Sequence, residues 1–217
     1  MECVAIESKL STFIAKKILN MKIKHSILFI VFLLSFSSEV FSQDNFAQGT
    51  NLINLGIGLG SLYYRGLGGA NFSTSPAITL SLDHGFRKIE EIEGTIGLGG
   101  IIGFQSSSAR YNNSSGFYKY HWSNFIIAPR GTYHAGFLNT DKFDLYGGLM
   151  LGLRIETVNF SSNYGAADLG NYGGVNVAWG AFIGGAYYFA SSVGAFAELG
   201  YDVAYLKIGV SFKPGGK

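Results

Sequence analysis

After residue 50 the chain alternates, eight times over, an apolar residue with a glycine or polar one, in stretches of about ten positions. The last stretch is the clearest: Leu206, Ile208, Val210 and Phe212 share one parity, Tyr205, Lys207, Gly209 and Ser211 the other. Period two sends each set to its own side of a sheet. The first stretch sets Ile53, Leu55, Ile57 and Leu59 against Asn54, Gly56, Gly58 and Gly60, and the second sets Ile78, Leu80 and Leu82 against Thr79, Ser81 and Asp83. Stretches around Ile96–Gln105, Asn124–His134, Asp144–Ile155, Val175–Gly184 and Ala195–Gly200 continue the pattern, with Pro129 as a local irregularity. The prediction is an all-β chain: an eight-stranded antiparallel up-and-down transmembrane β-barrel, apolar toward lipid and polar toward a narrow lumen. A soluble, lipocalin-like barrel with the opposite sidedness is the competing arrangement. It would need a polar exterior, and a face of Gly, Ser and Asn suits a crowded interior better.

Connections alternate in length. Segments near 63–75, 105–121 and 157–173 are long and rich in Ser, Asn, Gly and Tyr, whereas those near 84–91, 136–142 and 190–192 are short. In bacterial barrels long loops face outward and short turns face the periplasm, so both termini are expected in the periplasm. Aromatic residues gather at the predicted rims, Tyr118, Tyr120 and Trp122 above, Phe86, Phe143, Tyr187, Tyr188 and Phe212 below, as headgroup girdles do.

Composition supports the membrane reading: 31 glycines, 47% hydrophobic residues and only 14% charged ones make a poor water-facing surface. Upstream, Lys22, Lys24 and His25 precede an apolar run from Ile27 to Phe36, and Val40-Phe41-Ser42 offers a cleavage site. Residues 21–42 therefore read as a cleaved signal peptide, with an uncleaved anchor helix as the alternative. Residues 1–20 read as a misplaced start or extended basic region, and 43–217 as the barrel domain. The single cysteine, Cys3, falls in the leader, so the mature barrel has no disulfide or thiol chemistry. Removing Lys9, Lys16, Lys17, Lys22 and Lys24 from 16 basic residues and Glu2, Glu7 and Glu39 from 14 acidic ones leaves 11 of each. A neutral mature chain gives nucleic acid no basic footprint.

Parity sends Asp83, Glu93, Arg130, Asp144, Arg154, Glu156, Glu198 and Lys207 inward. A near-symmetric turn at Tyr201–Ala204 sets Glu198 opposite Lys207 and Leu199 opposite Leu206. A lone charge in a tight lumen is costly, so Glu198, Lys207, Arg130, Arg154 and Glu93 are expected to form the lumen charge network. Eight strands enclose little more than their own side chains, which favours a structural filling over an ion gate. The loops are then the candidate contact surface, through Tyr111, Asn112, Tyr118, Tyr120, Tyr164 and Tyr172, toward glycans, lipopolysaccharide or proteins. No cofactor or metal is expected, since His84, His121 and His134 lack ligand spacing.

Residues 124–153 and 193–212 resemble the small outer-membrane β-barrel proteins of Bacteroidetes-type Gram-negative bacteria, within the porin-like superfamily that includes OmpA-type transmembrane domains. The likeness is carried by Arg130, Tyr133 and His134, by Tyr146, Gly148 and Gly152, and by Glu198-Leu199-Gly200. It implies an outer-membrane location, contact with outer-membrane lipid and lipopolysaccharide, and delivery by the barrel assembly machinery. Such barrels usually end on an aromatic residue, whereas Lys213 to Lys217 follow Phe212 here. His121-Trp122-Ser123-Asn124 is similar to the His-x-Ser-Asn segment of lipid A deacylases. That family places a glutamate about a dozen residues after the serine, where this chain has Ala135. The sequence thus points to a non-catalytic structural or surface-interaction protein, then to a conduit for small or hydrophobic solutes with Pro129 as its wall opening, then to a deacylase.

Overall fold

The computed structural model describes residues 45–60, 71–114, 116–163 and 172–214. The proposed leader, signal peptide and Tyr164 lie outside them. Among the described residues nine strands form: β1 (Asn51–Leu59), β2 (Asn71–Thr74), β3 (Ala77–Ile89), β4 (Gly94–Asn113), β5 (Gly116–Ala135), β6 (Phe143–Ser162), β7 (Tyr172–Ala190), β8 (Val193–Tyr201) and β9 (Leu206–Phe212). Each pairs antiparallel with its neighbour, and β1 pairs with both β3 and β9, so eight strands close a ring. Short β2 continues the line of β3 beyond Pro76 and pairs with β4. Pro76 has no N–H for the ladder, and Ser75 holds the break: its N–H donates to Ser106 O and its hydroxyl accepts from Ser106 N–H.

The two parities separate as the pattern requires. Leu55, Leu80, Leu98, Ile127, Leu151, Val177, Ile183 and Val210 are exposed on the outside, while Asn54, Thr79, Ser81, Asp83, Thr132 and Ser211 are buried within. An apolar belt on every strand around the ring far exceeds the patches a monomer keeps in water, so its solvent is lipid. The soluble, ligand-enclosing barrel is excluded by this sidedness. Phe86, Phe143, Tyr187, Phe189 and Phe212 ring the end where β1 begins and β9 finishes, and Trp179, Tyr201 and Tyr205 cluster at the other. Tyr188 is buried rather than in the girdle, and Tyr205 leaves the Lys207 face because the turn has broken the alternation there.

Strand length corrects the loop assignment. β4, β5 and β6 run 20 residues each and β7 runs 19, whereas β8 and β9 have 9 and 7. A 20-residue strand tilted by 45° rises about 45 Å, against an apolar belt of about 25 Å. The stretch expected as loop 105–121 is therefore mostly a hairpin arm, paired continuously to Asn113↔Gly116. Four strands stand above the belt as a raised ribbon, and the wall at β8 and β9 is low.

The interior is filled in layers. At the terminal end Phe46, Leu52, Ala186, Tyr188 and Phe196 pack together. Toward the raised end Ala77, Ile101, Ile126, Ala128, Met150 and Ala178 pack with Val203 and Ala204 from the β8–β9 turn. That turn dips into the barrel instead of standing clear of it: a Cβ on Gly103 would lie 2.8 Å from Val203 and one on Gly58 2.6 Å from Ala204. Charges lie between these layers.

Candidate functional site

Glu198 and Lys207 are directly opposed on β8 and β9, with Leu199 opposite Leu206. Lys207 Nζ lies 2.5 Å from Glu198 Oε2 and also bonds Asp202 of the inserted turn. Arg130 on β5 donates through Nη2 to Glu198 Oε1 at 3.1 Å, its Nε lies 2.9 Å from Asp83 Oδ1, and Tyr146 Oη donates to Glu198 at 2.9 Å. Both cations lie over the Phe182 ring, at 4.4 Å for Arg130 and 5.1 Å for Lys207. Three carboxylates thus share two cations in a site closed to water, and each carboxylate has a cation within ion-pair distance.

Two expected members lie elsewhere. Glu93 is exposed and has left the strand: a short 3-10 turn at Glu90–Ile92 precedes it, its φ is +47°, and its N–H caps Glu90 O. Counting parity back from Thr95 fails because the chain is already turning. Arg154 faces inward but higher, pairing at 3.1 Å with half-buried Glu156 and donating to Asn124 Oδ1 at 3.4 Å. Asp202 and Phe46 carry no signal in the alternation, because turn and pre-strand residues have no parity. Tyr146 had inner parity, but nothing local marks it as a partner of Glu198.

A second buried group sits below. His134 Nδ1 lies 2.8 Å from Asp144 Oδ2, Asn139 Nδ2 donates to Asp144 Oδ1 at 2.8 Å, and the imidazole stacks on Phe46 at 3.6 Å. Lys213, just past β9, reaches back to Asn45 Oδ1 at 2.9 Å and over the Tyr188 ring. Burial pushes its ammonium below the ordinary lysine value, against the attraction of Asp144.

The raised ribbon carries the other set of candidates. Tyr111, Tyr118 and Tyr120 lie on strands rather than in a loop. On one face, continuous with the lumen side, Tyr111 stacks on Tyr118 at 5.0 Å, Tyr118 meets Tyr120 edge-on at 6.4 Å, and Tyr120 contacts Trp122 at 5.7 Å and Phe160 at 5.1 Å. These rings, read from sequence as a lipid girdle, pack on one another inside the mouth. Tyr172, at the start of β7, shares this face opposite Val158. Asn112 lies on the outer face and accepts from Arg110 Nε at 3.0 Å.

His121 and Ser123 are on the outer face, where His121 Nε2 lies 3.3 Å from Ser106 Oγ. Glu156, the carboxylate at that height, is on the inner face with Arg154. At Pro129 the β5–β6 ladder passes from Ile127↔Leu153 to Arg130↔Met150 in unchanged register. Two pairs are missing from the ladder there, but a Cβ on Gly152 would lie 2.3 Å from Ile127 O and 2.5 Å from Ala128 Cβ, so the two strands remain in close approach across the irregularity.

A closed ring of eight antiparallel strands, charged within and apolar without, defines a transmembrane β-barrel. Its structure is similar to that of Ail, the attachment invasion locus protein of Yersinia pestis, with 14% identity over 76% of this chain and 95% of that one and a TM-score of 0.39. The N-terminal β-barrel domain of Pseudomonas aeruginosa OprF matches with 14% identity over 76% and 98% of the two chains and a TM-score of 0.38. The transport unit of the Escherichia coli autotransporter AIDA-I matches with 14% identity over 76% and 54%, and a TM-score of 0.37. No protein-family model matches the chain, and no curated protein does.

Proposed function

We propose that this chain is an outer-membrane protein of a Gram-negative bacterium, with both termini periplasmic, a structurally filled lumen and a raised ribbon that serves as its surface for interaction. The observation that carries this reading is the ribbon itself. Strands continue past the lipid belt as ordered sheet, bearing stacked aromatics on one face, while the interior below is packed with ion pairs and rings. Assembly machinery delivers the chain, and the outer face of the ribbon, polar from Ser106 and Ser123 upward to Arg110 and Lys119, supports contact with lipopolysaccharide. Cells displaying the triple variant Tyr118→Ser, Tyr120→Ser, Trp122→Ser should adhere to glycan-bearing or protein-coated surfaces less than cells displaying the parent at equal level. Equal adhesion, matched by cells lacking the gene, would remove the reading.

Catalysis is not part of the proposal. Glu156, the carboxylate opposite Asn124, is engaged with Arg154 on the inner face, whereas His121 and Ser123 lie on the outer one. Lipid A should show the same acylation by mass spectrometry with and without the gene, and a lost acyl chain in its presence would restore the deacylase.

A further inference from the structure

Among the described residues, the inner face of the mouth is open along the first part of β7. Where β7 leaves the top of β8, its residues 172–180 have β6 on one side and no paired strand among the described residues on the other, because β7–β8 pairing begins at Ala181↔Tyr201. On this stretch Tyr172, Gly174 and Asn176 share the inner face, two residues and so about 7 Å apart. Tyr172 is 55% exposed, Asn176 is exposed, and a Cβ on Gly174 would meet nothing within 4 Å. Across the ladder Glu156 stands opposite Gly174 and Arg154 opposite Asn176, and the two pair at 3.1 Å. One strand further, Asn124 opposite Glu156 is buried and keeps an Nδ2 donor without a protein partner.

We infer that this cradle binds a neutral sugar ring, seated over Gly174 against the face of Tyr172, with Glu156, Arg154 and Asn176 meeting its hydroxyls. A pyranose offers two chemistries at once. Its C–H face packs on an aromatic ring, and each hydroxyl both donates and accepts. The cradle supplies an exposed ring, an acceptor carboxylate, guanidinium donors and an amide that does both. Charge decides the class of sugar. Arg154 is paired with Glu156, so among the described residues the floor has no surplus cation with which to hold a sulfate, phosphate or sialic carboxylate. The gap in front of Gly174 is what any side chain would fill, and among the described residues β8 and β9 end below it.

This inference rests on the surface-interaction reading and names its ligand class. The test uses the refolded barrel in detergent on an array of neutral oligosaccharides with their sulfated and sialylated counterparts. Gly174→Val is the deciding variant, since valine suits a strand and its Cβ has open space there; a preserved heat-dependent gel shift verifies its fold. The parent should retain neutral oligosaccharides, and Gly174→Val and Tyr172→Ser should each bind about tenfold more weakly. Retention of sulfated or sialylated probes alone, or binding unchanged in Gly174→Val, overturns the inference. If no sugar is retained while the aromatic triple variant still loses adhesion, the glycan fails and the interaction surface stands. If adhesion is also independent of the gene, both fall.

Discussion

Lys207 is the residue on which the interior balances. It faces Glu198 and Asp202, while Arg130 faces Glu198 and Asp83, so removing Lys207 leaves three carboxylates to one cation. Lys207→Met should cost about 3–5 kcal/mol, the penalty of an uncompensated buried charge, measured as a fall in the urea midpoint of refolded barrel. Glu198→Gln should cost clearly less, because the remaining two acids and two cations still pair. The reverse order would mean that Glu198, not the cation count, holds the network. The opposition of Glu198 and Lys207 was legible from sequence because a symmetric turn fixes register from residue numbers alone. Asp202 was not, since its approach to Lys207 depends on the turn folding inward.

At the scale of elements, sidedness was the most legible property and strand length the least. Period two marks a strand whether lipid, water or another ring covers it, so the outward placement of Leu55 and Leu80 is legible in the sequence. Tyr118 and Tyr120 were read as loop because Ser, Asn, Gly and Tyr dominate their neighbourhood, yet cross-strand pairing keeps that segment extended. Gly184 tests how tightly the elements close on the lumen. A Cβ there would lie 2.7 Å from Glu198 Cγ and 2.9 Å from Tyr146 Cε2, so Gly184→Ala should destabilise by about 1–3 kcal/mol in the same unfolding assay, whereas Gly174→Ala should be nearly neutral. Pro129→Ala should leave bilayer conductance unchanged, since the strands already meet at Gly152 and Ala128. A conductance change would reopen the solute conduit.

For the whole molecule, the belt and the filled interior make joint demands. The chain should fractionate with outer membranes and migrate differently on a gel before and after boiling, as a detergent-resistant barrel does. A soluble periplasmic protein with a single mobility would contradict the exterior described above. In planar bilayers the intact barrel should show no steady conductance, because the β8–β9 turn closes one end and the Phe46 layer the other.

The sequence by itself determined the number of strands in the ring, the face taken by residues within the paired strands and the Glu198–Lys207 register, because these follow from a two-residue period and a local turn. Only the tertiary structure decided what fills the lumen, which strands rise above the belt, and that Glu93 and Arg154 stand apart from the Arg130 network. Those outcomes depend on closure of the ring, which brings Phe46, Arg130, Glu198 and Val203 together across distances that no local pattern encodes.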